Sequence, residues 1–273
     1  MTLGVLWIRN AFPNTIELCV ASDSRLTGGT HWDCAQKIFP LPRGDCLLAF
    51  AGDTAHAYPL VTQTINYVLS YDPALSRALH LGKLKGHLGR VINNMRGTLK
   101  NVVATNSEPE DQIDCELILA GYDWRTSSFK AWQLASSKSE DYLFEQIHEI
   151  ENGPESEFTD CRFLFYGDPD AVSFAHSLLL EALHSRAHGA HGLNMEPFLV
   201  LADIIKAEIF KSVGGAPQIV KTYSHMNCMA YNIRWPNSSS PVFLYGRELL
   251  SYEKNRFLVL CPETLDAVRW SDQ

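Results

Sequence analysis

Thr2 follows Met1 and opens an apolar run. Methionine aminopeptidase acts readily before residues as small as threonine, and loss of Met1 would place a hydroxyl and a free α-amine on one residue. An α-amine titrates near about 7.7–8.0, so a useful fraction is neutral at cell pH and can take the hydroxyl proton. The chemistry this allows is acyl transfer from an amide to Thr2, followed by hydrolysis by water. Two other sets of chemical residues stand out. His184, His188 and His191 lie at i, i+4 and i+7 and would meet a metal on one helical face. Gly189 and Gly192 interrupt that face, and no carboxylate or cysteine completes the set, so it reads as a solvated helix end. His56, near Gly52, reads as an ordinary residue at a helix start. Seven cysteines are scattered without a CxxC pair, which suits reduced thiols in a cytoplasm, several of them small core residues. Neither a metal nor a cofactor is expected.

The elements that must hold Thr2 follow from periodicity. Thr2 to Arg9 and Thr15 to Ser24 read as strands around a turn at Asn10 to Asn14, and Ala35 to Leu41 with Cys46 to Gly52 as a second pair around Pro42-Arg43-Gly44-Asp45. From about Thr54 the period becomes helical: Leu60, Ile65, Val68 and Leu69 share one face, and Leu84 through Val102 another. A polar loop at Asn106 to Asp111 precedes strands at Cys115 to Gly121 and Phe129 to Leu134, then Tyr142 to Ile150 and Arg162 to Tyr166. Asp168 is placed to cap a helix with Pro169 at its first position, and a further helix spans about Glu196 to Lys211. Strands at Ile219 to His225, Met229 to Trp235, Val242 to Gly246 and Phe257 to Leu260 close the order, and Asn237 to Pro241 reads as a turn.

Helices that arrive in pairs after blocks of antiparallel strands do not suit an alternating parallel sheet. The expectation is an α+β fold: a four-layer αββα sandwich, two antiparallel sheets packed face to face and flanked by helix pairs. No linker or repeat divides residues 1–273, so a single domain is expected. With 23 Lys+Arg against 31 Asp+Glu the formal charge is −8, and the sequence pI is near 5.7. That balance offers no footprint for nucleic acid or an anionic membrane surface. No apolar run approaches the roughly 18 residues of a membrane helix, and the first residues lack a signal core, so a soluble, cytoplasmic chain is expected.

Three segments carry a resemblance: Ala21-Ser22-Asp23-Ser24-Arg25-Leu26-Thr27-Gly28-Gly29, Gln36-Lys37-Ile38-Phe39-Pro40-Leu41, and Ala49-Phe50-Ala51-Gly52-Asp53-Thr54-Ala55. They resemble the proteasome β-subunit group of N-terminal-nucleophile hydrolases. Ser22-Asp23-Ser24-Arg25 and Ser212-Val213-Gly214-Gly215 are most similar to the bacterial ancestral β-subunit group, and Leu119-Ala120-Gly121-Tyr122-Asp123 is similar to the family's strand after the first helix pair. The resemblance implies Thr2 as nucleophile and base, Lys37 as electrostatic stabiliser, Asp23 as its orienter and Gly52 as an oxyanion donor. A lysine ammonium beside Thr2 would stabilise the developing alkoxide, and an aspartate would keep that lysine placed and charged. It further implies a threonine peptidase acting on peptides or unfolded protein, a homo-oligomeric ring or open spiral, and an ATP-dependent unfoldase as partner.

Each residue also has a plain structural use. Asp23 and Lys37 can be a salt bridge, and Gly52 can permit a tight turn before a helix. The segment between Thr2 and Asp23 is longer than usual in the family, with Asn10 to Asn14 the expected insertion, which would either displace Thr2 or lengthen a turn. Where the family has a Gly-Ser-Gly turn and an Asp and Ser before the late glycines, this chain has Gly167-Asp168-Pro169 and Phe210-Lys211-Ser212-Val213. These departures leave two alternatives to a peptidase: a catalytically silent subunit acting as a scaffold or binding module, and an amidase of small molecules on the same fold.

Overall fold

A computed structural model of the chain describes residues 2–11, 15–28, 30–96, 98, 115–136, 142–147, 151–152, 161–186 and 192–269. The fold is mixed α+β. The first strand, β1 (Leu3–Ala11), forms a hairpin with β2 (Thr15–Ser22). Short β3 (Leu26–Thr27) and β4 (His31–Trp32) pair with each other, and β5 (Ile38–Pro40) pairs with β6 (Cys46–Gly52). Helices α1 (Thr54–Ser70), α2 (Asp72–Leu75) and α3 (Leu81–Arg96) follow, then β7 (Cys115–Asp123), β8 (Ser128–Ser136), β9 (Tyr142–Gln146), β10 (Glu151–Asn152) and β11 (Arg162–Gly167). Helices α4 (Pro169–His184) and α5 (Glu196–Ala207) precede β12 (Gln218–Tyr223), β13 (Asn227–Ala230), β14 (Asn232–Arg234), β15 (Val242–Leu244), β16 (Arg247–Glu248), β17 (Val259–Leu260) and β18 (Ala267–Val268).

Two sheets form the body, in the orders β10-β11-β1-β2-β12-β13 and β5-β6-β7-β8-β9, with antiparallel neighbours throughout. The central strands are apolar on both faces because both faces are covered. In β1, Leu3, Val5 and Trp7 enter a cluster with Phe198, Leu201 and Ile205 of α5 and Ala175 and Leu179 of α4, while Leu6 points into a different cluster. In β6, Leu48 and Phe50 join Leu60 and Val61 of α1 and Leu84 and Leu88 of α3. Leu47, Ala49 and Ala51 meet Leu6, Leu18, Val20 and Val220 of the other sheet. Side-chain alternation along a strand then puts Thr2 and Gly4, in step with Leu6, on the face turned toward the second sheet.

Local chemistry sets the element ends. The Asp53 carboxylate accepts the Ala55 N–H at 2.8 Å to start α1, and Asp168 accepts the Asp170 N–H at 3.1 Å to start α4, with Pro169 at the first helical position. At the far end of the first hairpin the Asn10 N–H donates to the Leu193 carbonyl at 2.8 Å. At about 3.3 Å per residue, Asn10 is roughly 26 Å of strand from Thr2, and residues 12–14 of the expected insertion lie outside the described residues.

Several boundaries differ from expectation. Strand β2 ends at Ser22 and β5 begins at Ile38, so Asp23 and Lys37 both sit just outside strands. The Met229 to Trp235 stretch is not one strand: β13 stays with β12, whereas β14 joins a further small sheet, β16-β15-β14-β17-β18, that was not anticipated. Helix α5 stops at Ala207, where Glu208 takes a left-handed conformation (φ 50°), short of Lys211. Val102, the loop at Asn106 to Asp111 and the end of the Tyr142 to Ile150 strand fall outside the described residues. No helix among the described residues is long and apolar enough to cross a membrane.

Candidate active site

Thr2, Asp23 and Lys37 converge. The Lys37 ammonium donates to Thr2 Oγ1 at 2.8 Å and to Asp23 Oδ1 at 2.8 Å, and the Lys37 and Asp23 side chains are wholly buried. Thr2 is 1% exposed. The Asp23 carboxylate is saturated by donors. Oδ1 also accepts the Leu3 N–H at 3.2 Å, and Oδ2 accepts the N–H groups of Arg25 at 3.0 Å and Gly214 at 3.1 Å. Three backbone donors and the Lys37 amine surround the buried carboxylate. Burial pulls the Lys37 ammonium below the ordinary lysine range, and the Asp23 carboxylate opposes that pull. The Lys37 Nζ thus sits within hydrogen-bond reach of the hydroxyl and the carboxylate alike.

Lys37 owes its position to Gln218. That side chain is 1% exposed and lies on the same face of β12 as Val220, toward the second sheet. Its oxygen accepts the N–H groups of Lys37 at 2.9 Å and Ile38 at 3.2 Å, and its amide donates to the carbonyls of Asp23 at 3.0 Å and Ala35 at 2.9 Å. One amide thereby ties the lysine segment to the aspartate loop. The signal in the sequence was a lone amide at an inward strand position, two residues before Val220, which apolar periodicity alone would assign to a core residue.

A second group, Gly167-Asp168 with Ser212, fixes the backbone of Thr2. The Asp168 N–H donates to the Thr2 carbonyl at 2.7 Å, and the Ser212 hydroxyl donates to Asp168 Oδ2 at 2.6 Å. Gly167 has φ +112°, and a Cβ there would overlap the Thr2 carbonyl oxygen, so glycine is required on both counts. These are the stretches where the chain departs from the resembled family pattern, and Asp168 serves here as helix cap and backbone anchor together.

Gly52 is brought near through its neighbour. The same Cβ position at Gly167 lies 3.5 Å from Ala51 Cβ, which places the end of β6 beside the Thr2 carbonyl. Gly52 itself has φ +96° and turns the chain from β6 into the Asp53 cap, so its use as a turn is established by the backbone. Arg25 fastens the opposite rim, pairing with both Asp33 oxygens at 2.7 and 2.8 Å.

His184 and His56 do not join the site. His184 Nδ1 lies 2.8 Å from the Leu180 carbonyl in the last turn of α4, and His188 and His191 lie outside the described residues. Among the described residues no three His, Cys, Asp or Glu side chains are arranged to hold a metal ion. His56 lines a small pocket between α1 and α3 with Pro59, Leu60 and Met95. Cys19, Cys46 and Cys161 are buried as small core residues, whereas Cys34 is exposed. Against known proteins, the sequence matches no family model and no curated protein.

Proposed function

We propose that this chain is an N-terminal threonine peptidase of proteasome β-subunit type, with its two main sheets and their helix pairs forming a four-layer αββα sandwich. One observation carries the reading: a fully buried lysine bridges the Thr2 hydroxyl and a saturated aspartate at 2.8 Å each. A structural ion pair has no need of a threonine hydroxyl as third member, whereas a nucleophile needs such a neighbour.

In the reaction, the free Thr2 α-amine takes the proton from Oγ1 as the Oγ1–carbon bond forms on the substrate amide. The carbonyl π electrons move to oxygen, where backbone N–H groups near the Gly52 turn would stabilise the charge. Lys37 offsets negative charge developing on Oγ1, and Asp23 holds Lys37 in place. Collapse breaks the carbon–nitrogen bond, and the α-ammonium gives its proton to the leaving amine. Water, deprotonated by the same amine, then adds to the ester, and Oγ1 leaves with that proton. The resemblance supports a cytoplasmic homo-oligomeric ring or spiral, supplied with unfolded chains by an ATP-dependent unfoldase.

The test joins intact mass to labelling. Protein made without an N-terminal tag should lack the mass of Met1 and take one equivalent of an epoxyketone or β-lactone on Thr2. Thr2→Ala should take none and lose peptide hydrolysis, and hydrolysis by Thr2→Ala at the wild-type rate refutes the assignment. A silent scaffold subunit is the second reading, favoured by the near-complete burial of Thr2. Retention of Met1 together with absence of label would decide for it.

A further inference from the structure

Gly4 and Tyr166 form an unequal pair close to the nucleophile. In the first sheet Gly4 stands opposite Tyr166 of β11 on one side and Ser22 of β2 on the other. Paired residues share a face, and Tyr166 belongs to the buried layer between the sheets, with Leu6 and Val20 of the next row. A Cβ on Gly4 would overlap Cζ, Oη and Cε2 of the Tyr166 ring. The ring therefore lies across β1 in the space that a side chain at position 4 would fill, an aromatic cover over a strand glycine. Tyr166 is 2% exposed, and its hydroxyl is buried with no hydrogen-bond partner among the described residues. The contact is made by the ring.

The pair lies one row below the catalytic contacts. Strands β1 and β11 are antiparallel, so two residues back from Gly4 and two residues on from Tyr166 lead to Thr2 and Asp168. Those two are joined, because the Asp168 N–H donates to the Thr2 carbonyl at 2.7 Å. Thr2 shares the face of Gly4, about 6.6 Å further along the strand, so the ring borders the nucleophile from the inner side. Between them the Leu3 N–H donates at 3.2 Å to Asp23 Oδ1, the oxygen that also receives Lys37. Loss of Met1 makes Thr2 a chain end, and chain ends fray unless they are tied down. A flat ring held by burial over Gly4 resists that fraying in the last row before the end.

Resting on the peptidase reading, we propose that Tyr166 is a positioning residue for Thr2: its ring, laid across Gly4, clamps the start of β1 to β11 and so sets the distance from the Thr2 hydroxyl to Lys37. Thr2 leads into β1 of the first sheet, whereas Lys37 leads into β5 of the second, so a shift of β1 changes that distance directly. A displacement of about 1 Å at a reacting atom costs roughly a hundredfold in rate. A smaller aliphatic side chain at 166 leaves Gly4 bare, and a methyl at position 4 pushes the ring away. Either change releases the same clamp.

The decisive experiment follows Thr2 acylation by a β-lactone in wild type, Tyr166→Phe, Tyr166→Leu, Gly4→Ala, the double variant Gly4→Ala with Tyr166→Leu, and Val20→Ala, together with amide hydrogen exchange at Leu3 and Asp168. Tyr166→Leu and Gly4→Ala should each lower the maximal inactivation rate by about tenfold to a hundredfold, leave half-saturation within about twofold, and speed exchange at both amides. The double variant should lose no more than about threefold beyond the worse single, because both changes remove one contact. Tyr166→Phe keeps the ring and sheds an unpaired buried hydroxyl, so it should acylate within about threefold of wild type and melt no lower. Val20→Ala opens the same layer one row further from Thr2, and should melt lower yet acylate within about threefold of wild type. The same melts confirm that each variant is folded. Unchanged acylation and exchange in Tyr166→Leu overturn the proposal, as do single losses that multiply in the double variant. A loss in Tyr166→Phe or in Val20→Ala equal to that in Tyr166→Leu overturns it as well. A wild-type chain that takes no label refutes the peptidase reading, and the exchange rates then still decide whether the ring holds β1.

Discussion

Replacing Asp23 by asparagine tests the electrostatic core of the site. Asp23 is 0% exposed and receives four donors, one of them the ammonium of a lysine whose side chain is also 0% exposed. Asparagine keeps one oxygen and turns an NH2 group toward donors. The Lys37 charge then has no counter-charge in a site closed to water, and breaking a buried pair from one side costs about 3–5 kcal/mol. Set against a total of about 5–15 kcal/mol for a folded chain, that is a large fraction. With a urea slope of about 3 kcal/mol per molar, the midpoint should fall by roughly 1–1.7 M at unchanged slope. Lys37→Met is expected to cost less, because the Asp23 carboxylate keeps its three backbone donors. The double variant should be more stable than the sum of the singles by at least about 2 kcal/mol.

A pH series adds a sign. Without Asp23, burial holds the Lys37 pKa further below its unfolded value of about 10.4. Between those two values the unfolded chain binds more protons, so the stability of Asp23→Asn should rise with pH across that window. Single losses below about 1 kcal/mol that add without coupling would refute the description of the pair as desolvated.

Three further outcomes follow from the geometry. Gly167→Ala places a methyl against the Thr2 carbonyl at a strained φ, and should cost about 2–6 kcal/mol in denaturant melts and abolish labelling of Thr2; wild-type behaviour would mean that the turn relaxes freely. Gln218→Leu strips partners from two N–H groups and two carbonyls, and should cost about 3–5 kcal/mol by the same melts; a loss under about 1 kcal/mol would show that these groups find other partners. For Glu116, a folded-state pKa raised above 4.5 favours folding while the group is protonated, and that contribution fades as pH rises through the folded pKa. The stability of Glu116→Gln relative to wild type should therefore grow from about pH 4.5 upward and then level off, and a pH-independent difference would contradict it.

Thr2, Asp23 and Lys37 were legible because their chemistry depends on residue type and on motifs around them. The Asp168 cap was legible because an Asp-Pro pair before a helical period has a local cause. Gln218 and Ser212 were not, because each acts on a backbone group or side chain more than forty residues away, and a single polar residue carries no mark of what it faces. The break of Met229 to Trp235 into two strands was hidden for a related reason. Side-chain alternation runs on, while the backbone exchanges partners between Ala230, opposite Val220, and Asn232, opposite Val259. The early stop of α5 was masked by Ile209 and Phe210, which keep the helical period; Phe210 instead packs on Phe174 at 5.7 Å between ring centres.

The strand order of the first sheet has a temporal side. The two strands of the opening hairpin find their outer neighbours only in β11 and β12, more than 130 residues later in the chain. At a synthesis rate of about 5–20 residues per second, β2 emerges from the ribosome roughly 10–40 s before Gln218 does. Until β11 emerges the hairpin has two open edges rich in Leu, Val and Ile, and until Gln218 emerges the β2 edge stays open and Lys37 has no amide to fix it. Nascent chains stalled before β12 should be avid chaperone clients with an unassembled site, and those extended beyond β13 should be the first in which Thr2, Asp23 and Lys37 can be found together.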